Sequence, residues 1–464
     1  MDGEGRTLKR EGARGGREGL PRPGGGAYDL AMSGRLVTIV MLVALLTACG
    51  TAGRSPSAGG TPGTAGPGRG SPGTTAAPRA PVVSPSPDPS APPWAQTEVS
   101  EWGGSMTSAV AFAADDAWAA GTVDEGETLI THWDGRAWRE VAPPVRRREE
   151  VSFRLLAASS RDDLWVFADD GRAWRWTGTG WAARGGLGGT TGTNGTAGTA
   201  GPDRTNGTDG TAGTGGAAGS SGTGTSGTAG SGGLWLRAAA VAGPRDVWTA
   251  GTTRGDPARP FLVRWDGSGW SDLPLPPGAE VNDLGALSPR DVWAVGRSGD
   301  QAMIMHWTGE RWDPVPVPPV PGARGAVLDR VLAVSPDEAW ALGTAEVSDQ
   351  ERRQFLLRWD GSRWSEAGPL PEDTRLTAVE SDGHGGIWAG GESRGAGDGD
   401  GDGDGERTIL HFDGAGWTYG RTPGTQSGPV VNDLARSPDG DLVVAVGGNP
   451  DYDEDSEAWV WTRH

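Results

Sequence analysis

From about Trp94 to the carboxyl terminus, short apolar runs alternate with turns rich in Gly, Pro and Asp, and the alternation recurs. Six times, two aromatic residues stand five positions apart around a glycine: Trp133/Trp138, Trp176/Trp181, Trp265/Trp270, Trp307/Trp312, Trp359/Trp364 and Phe412/Trp417. Asp-Gly or Thr-Gly and two further residues separate the partners. That is hairpin-turn chemistry, joining two strands whose aromatic side chains meet across the ladder. A second landmark lies upstream: Asp116-Ala117-Trp118, Asp163-Leu164-Trp165, Asp246-Val247-Trp248, Asp291-Val292-Trp293, Glu338-Ala339-Trp340 and Gly386-Ile387-Trp388 each open another strand. Several of these reach a glycine after two residues, as in Trp293-Ala294-Val295-Gly296. A further apolar stretch precedes each, such as Val331-Leu332-Ala333-Val334 before Ser335-Pro336. The spacing predicts units of four strands, a to d, within about 35 to 50 residues.

Tandem four-stranded antiparallel units predict an all-β chain folded as a β-propeller, in which each small sheet buries its faces against its neighbours around a central channel. Segments such as Ile387-Trp388-Ala389-Gly390-Gly391 and Arg358-Trp359-Asp360-Gly361-Ser362-Arg363-Trp364 resemble the Kelch repeat and the related galactose-oxidase central domain. The resemblance covers roughly residues 94 to 464. Six full units run from Met106 to about Pro423, and a seventh begins at Pro429. The seventh reaches a third strand at Ala458-Trp459-Val460-Trp461 and then the sequence stops. Trp94 stands 24 residues before Trp118, the separation that also holds between Trp364 and Trp388, so residues 94–102 are expected to supply the missing outer strand. Seven blades in a closed ring follow; an open array would leave an exposed edge at each end. The repeated tryptophans Trp94, Trp118, Trp138, Trp165, Trp181, Trp248, Trp270, Trp293, Trp312, Trp340, Trp364, Trp388 and Trp417 are read as structural, not ligand-stacking, because one conformational role accounts for them all.

Composition divides the chain. With 81 Gly and 35 Pro among 464 residues, part of it must be tail or linker, while the 23 Trp fall almost wholly in the repeats. A formal charge of -19 with no basic stripe excludes nucleic acid as a partner. The one cysteine ends Leu46-Thr47-Ala48-Cys49, after Arg35 and the apolar run Leu36 to Leu46. This resembles the lipobox of bacterial lipoproteins, which implies a cleaved signal region at 1–48, lipidation of Cys49 and a place on the extracytoplasmic face of the cell membrane. Residues 1–31 precede Met32, a more ordinary start. From Thr51 to about Pro93 the chain is Gly, Ser, Thr, Pro and Ala, which cannot bury a core, so residues 49–93 read as a lipidated, flexible tether. The propeller spans 94–464, with 185–233 a low-complexity, disordered insertion.

In up-and-down blades the a-b and c-d turns share one face, and the b-c and d-a connections the other. The c-d turns keep one length, whereas the long insertions, including Arg146-Arg147-Arg148-Glu149-Glu150 and 185–233, fall in b-c or d-a connections. That variable face is the expected binding face. Two of its loops alternate acid residues, Asp398, Asp400, Asp402 and Asp404 in blade 6 and Asp451, Asp453 and Asp455 in blade 7. Two readings stand for these: a Ca²⁺ site, since a hard cation takes six to eight oxygens, or solvated loops without the downstream Glu of an EF-hand. His132, His306 and His411 occupy the place that Arg264 and Arg358 fill elsewhere, and read as strand-surface residues, not metal ligands. Galactose-oxidase copper chemistry needs tyrosines and a cysteine thioether, and only Tyr28, Tyr419 and Tyr452 exist. No HExxH or phosphate loop is present. The expectation is a non-enzymatic, monomeric lipoprotein whose propeller binds a protein or glycan partner; a glycan-processing hydrolase or lyase, and a purely structural envelope component, are the alternatives. Replacing Cys49 with Ala is expected to move the protein from the membrane to the soluble fraction, and fractionation that finds it still membrane-bound contradicts lipidation.

Overall fold

Turn chemistry sets each blade. In the computed structural model, an Oδ1 of Asp134 accepts the backbone N–H groups of Arg136 and Ala137 at 3.1 and 3.0 Å. Asp266, Asp360 and Asp413 repeat this at 2.8–3.0 Å in their own c-d turns. The glycine after the aspartate takes a left-handed conformation, φ 82° at Gly135, which a side chain would oppose. The structure describes residues 84–88, 94–100, 104–123, 127–145, 151–187, 233–371, 374–393, 408–420, 430–448 and 458–464. Cys49, the apolar run before it, most of the 185–233 insertion and both acidic loops lie outside them.

Seven four-stranded antiparallel blades form from these hairpins. Blade 1 consists of Gly104–Ala113, Asp116–Val123, Glu127–Trp133 and Trp138–Glu140. Blades 2 to 6 repeat the meander at 153–186, 234–272, 279–315, 325–366 and 374–419. Blade 7 takes Val430–Arg436, Val443–Gly448 and Ala458–Arg463 from the carboxyl terminus, and its outer strand, Ala95–Ser100, from the other end of the chain. The pairing joins Ala95 to Thr462 and Ser100 to Ala458. The ring is thus closed as the 24-residue spacing predicts. Within the segment read as tether, Ser86–Pro87 pairs in parallel with Thr418 and Tyr419 on the outer edge of blade 6.

The core is not central but divided among the blade interfaces. Seven buried apolar clusters lie between blades 1 and 2, 2 and 3, 3 and 4, 4 and 5, 5 and 6, 6 and 7, and 7 and 1. In five of them, the b-strand tryptophan of one blade meets the c-d aromatic residues of the next. Trp118 packs on Trp176 and Trp181, Trp165 on Trp265 and Trp270, and Trp293 on Trp359 and Trp364, with ring centroids 5.1–6.3 Å apart. Trp248 and Trp340 meet Trp307 and Phe412 in the same way. Trp94, brought in by the closing strand, meets Trp388 edge-on at 5.8 Å. The b-strand tryptophans and Trp94 are buried, as are Trp364 and Trp417, whereas Trp138, Trp181, Trp270 and Trp312 are half-buried.

Each inner strand carries a β-bulge at one shared level, where Thr107, Arg154, Arg237, Asn282, Asp329, Thr377 and Asn432 are the extra residues. The bulge pushes backbone against strand b. A Cβ at Gly296 would stand 2.0 Å from the carbonyl oxygen of Glu280, which accounts for the glycine after Trp293-Ala294-Val295. Trp364→Ala and Trp94→Ala are each expected to cost about 3–5 kcal/mol in urea unfolding, because each empties an indole-sized space between two blades. An outer strand that contributed nothing to closure would leave the Trp94 variant as stable as the parent.

Candidate functional site

Strand direction places every inner strand with its start on the variable face and its end on the turn face. In blades 1 to 5 the a-b turns have two residues, and the c-d turns have four in blades 1 to 6, whereas the described b-c connections run from Gly299–Asp300 to the six residues 254–259. The variable face and the channel mouth on it are therefore where the blades differ most.

The bulges aim polar residues inward and sideways. Asn282 Nδ2 donates to the carbonyl of Leu328 in the next blade at 2.9 Å, and Asn432 Nδ2 to that of Met106 at 2.8 Å. Thr377 donates to the carbonyl of Val431. One residue further on, Asp283 accepts the N–H of Val331 at 2.8 Å and Asp433 that of Ala109 at 3.0 Å, so each carboxylate ties its own blade to the following one. Glu380, closer to the turn face, accepts the N–H of Ser381 at 2.7 Å. Burial pushes Asp283 up to about 6, against the pull of Arg330, and Glu380 up to about 8, with the charge of Asp433 adding to it and Arg436 opposing. Burial raises Asp433 as well. The channel wall is thus a set of desolvated carboxylates, interleaved with Arg330 and Arg436.

Where blades 3 to 6 open onto the variable face, a polar cavity of about 450 Å³ lies at the channel mouth. Its charges balance: Arg237, Arg297, Arg352 and Arg375 against Glu280, Asp300, Asp329 and Glu346. Several are engaged already. Arg297 grips Glu280 with two nitrogens at 2.8 and 3.3 Å, Arg237 donates to Asn282 Oδ1 at 3.1 Å, and Thr344 donates to Asp329 at 2.8 Å. Gln354 both donates to and accepts from the backbone of Leu376 at 2.8 Å, fixing the wall between blades 5 and 6. The guanidinium groups of Arg237, Arg352 and Arg375 stand exposed.

The histidines lie far apart around the ring, each in a local unit that sequence reasoning missed. His132, His306 and His411 stack on Trp118, Trp293 and Trp388 of their own blades, with centroids 4.1–4.5 Å apart. Each Nε2 pairs with a carboxylate, Asp116, Asp291 or Asp382, at 2.7–2.9 Å. Arg175, Arg264 and Arg358 make the corresponding pairs with Asp163, Asp246 and Glu338. Arg264 and Arg358 lie over Trp248 and Trp340 at 5.2 and 4.9 Å. The signal was present in five blades as the acid two places before the b-strand tryptophan, and in blade 6 as Asp382, six places before Trp388. Among the described residues no three metal-ligating side chains converge.

No family model matches the chain, and no curated protein matches it. Among solved structures it is similar to YCF48 bound to D1 peptide, at 12% identity and TM-score 0.46 over 81% of this chain and 98% of that one. It is also similar to YCF48 from Cyanidioschyzon merolae, at 12% and 0.45 over 80% and 99%, and to U3-55K, at 13% and 0.46 over 79% and 98%. The propeller itself is read from the strand pairing above.

The two sets of shifted carboxylates act in opposite directions. Asp134, Asp266 and Asp360, held down to about 2 chiefly by side-chain hydrogen bonds from Arg139, Ser268 and Ser362, lose their stabilising effect as pH falls from about 4 to about 2. The raised channel acids bind more protons folded than unfolded, so they lower stability as pH rises from about 4 to about 8. The thermal midpoint is therefore expected to peak near pH 4–5, and Glu380→Gln to raise it at pH 8 but not at pH 4. Calorimetric scans with the same difference at both pH values would contradict this.

Proposed function

We propose that the chain is a membrane-anchored extracytoplasmic lipoprotein whose propeller is a binding module, presenting its variable face to a protein or glycan partner. The observation that carries this reading is the segregation of the propeller into two faces. One is built of short, uniform turns; the other holds the irregular connections and the open polar cavity. Binding residues concentrate on loops held by a rigid frame.

An outer strand runs from the turn face to the variable face, and Ser86–Pro87 lies parallel to one, Trp417–Tyr419, with Asp88 N–H donating to the carbonyl of Tyr419 at 3.1 Å. Residues 84–88 therefore run from the turn face toward the variable face. The Kelch-like blade pattern fits a binding module, and the copper chemistry of galactose-oxidase relatives does not carry over. The calcium reading of the two acidic loops belongs to this face as well, as a means of shaping its rim.

Crosslinking in the native envelope tests the proposal. Capture of a partner is expected to fall when loops 394–407 and 449–457 are replaced by short Gly-Ser turns, or when 188–232 is deleted. Capture unchanged by all three alterations would put the binding surface elsewhere.

A further inference from the structure

Trp235 breaks the rule that the other tryptophans follow. Among the described residues it is the large apolar side chain left exposed, at 56%. It lies near the start of the blade 3 inner strand, Leu234–Gly243, whose alternating residues Leu234, Leu236 and Ala238 are buried. Leu234 and Leu236 join the cluster shared with blade 2. Trp235, between them, faces away from blade 2, and Arg237, the bulge residue that follows Leu236, reaches across to Asn282 of blade 4 at 3.1 Å. Arg237 lines the polar cavity at the channel mouth. Trp235 therefore lies two residues nearer the variable face than Arg237, a lining residue of the cavity.

An exposed indole beside a balanced polar cavity defines a ligand chemistry. The face of an indole is electron-rich and attracts weakly positive C–H groups, which a pyranose ring presents as a flat apolar patch. Four cations opposing four anions give no net Coulomb gain to a charged ligand, whereas hydroxyl groups donate and accept at once. The guanidinium groups of Arg237, Arg352 and Arg375 offer donors, and Asp300 and Glu346 offer acceptors, so a ring of hydroxyls finds both. A volume of about 450 Å³ admits one or two sugar rings. We infer that the channel mouth is a binding site for a neutral carbohydrate, one pyranose stacking on Trp235 and its neighbour directing hydroxyls into the cavity. This rests on the variable-face reading above and names its ligand class.

Full-length protein in detergent micelles, titrated with maltohexaose, cellohexaose, xylohexaose and chitohexaose by calorimetry and tryptophan fluorescence, tests the site. At least one of these neutral chains is expected to bind and to quench the fluorescence. Trp235→Ala should weaken it by about tenfold or more, while Trp235→Phe stays within about threefold. Both variants should keep the parent thermal midpoint, since the side chain is exposed. An absence of binding by all four chains at about 10 mM, an affinity indifferent to Trp235→Ala, or tighter binding of an anionic hyaluronan hexasaccharide would overturn the inference. Envelope crosslinking that depends on Trp235 but survives glycan digestion would overturn it too, in favour of a protein partner, and would leave the variable-face proposal standing.

Discussion

No blade of this chain can cover its own faces, and that constraint governs everything else. A four-stranded sheet has two apolar faces and nothing above or below it, so each must be sealed by a neighbour on either side. The sealing element is the b-strand indole, buried against the aromatic pair of the following blade. An apolar cluster fills every one of the seven interfaces, which is possible only if the ring closes. Blade 7 departs from the repeat, with Val444 where the other blades have tryptophan and Arg463 lying over Trp388 at 4.3 Å. Closure there relies on Trp94 and on strand pairing between residues separated by most of the chain.

The same frame explains how the faces diverge. The inner strands bulge at a common level, and polar side chains at the bulges donate to the backbone of the next blade, holding the channel wall in place. Nearer the turn face, a histidine or arginine paired with a carboxylate lies over the b-strand indole of its own blade. With both levels fixed, connections on the opposite face can lengthen without loosening the core, since loop closure costs rise only slowly with length. The polar cavity is the point at which these loose and fixed parts meet.

Much of the architecture was legible in the sequence because its causes are local. The Asp-Gly turns, the aromatic pairs across them and the glycine after most b-strand tryptophans recur at short spacing, and each depends on residues within a few positions or in the adjacent strand. The expected outer strand at 94–102 corresponds to Ala95–Ser100, because the periodicity left one vacancy and one unassigned segment. The channel was not legible. Asp283, Arg330 and Asp433 each follow the bulge residue of their inner strand and Glu380 stands two places further on in its own, so the position repeats while the charge does not. Sequence likewise placed His132, His306 and His411 on strand surfaces without revealing their acid partners or the indoles beneath them.

What the sequence determined by itself, then, was the repeat: four strands to a blade, seven blades, two unequal faces and a closing strand. The tertiary structure alone decided which side chains share the channel, which carboxylates are half-buried there, and that Trp235 stays at the surface. The reason is physical. Turns and strands answer to neighbours along the chain, whereas burial and electrostatics answer to whatever the closed ring brings together, here residues from blades 3 to 7 that are far apart in sequence.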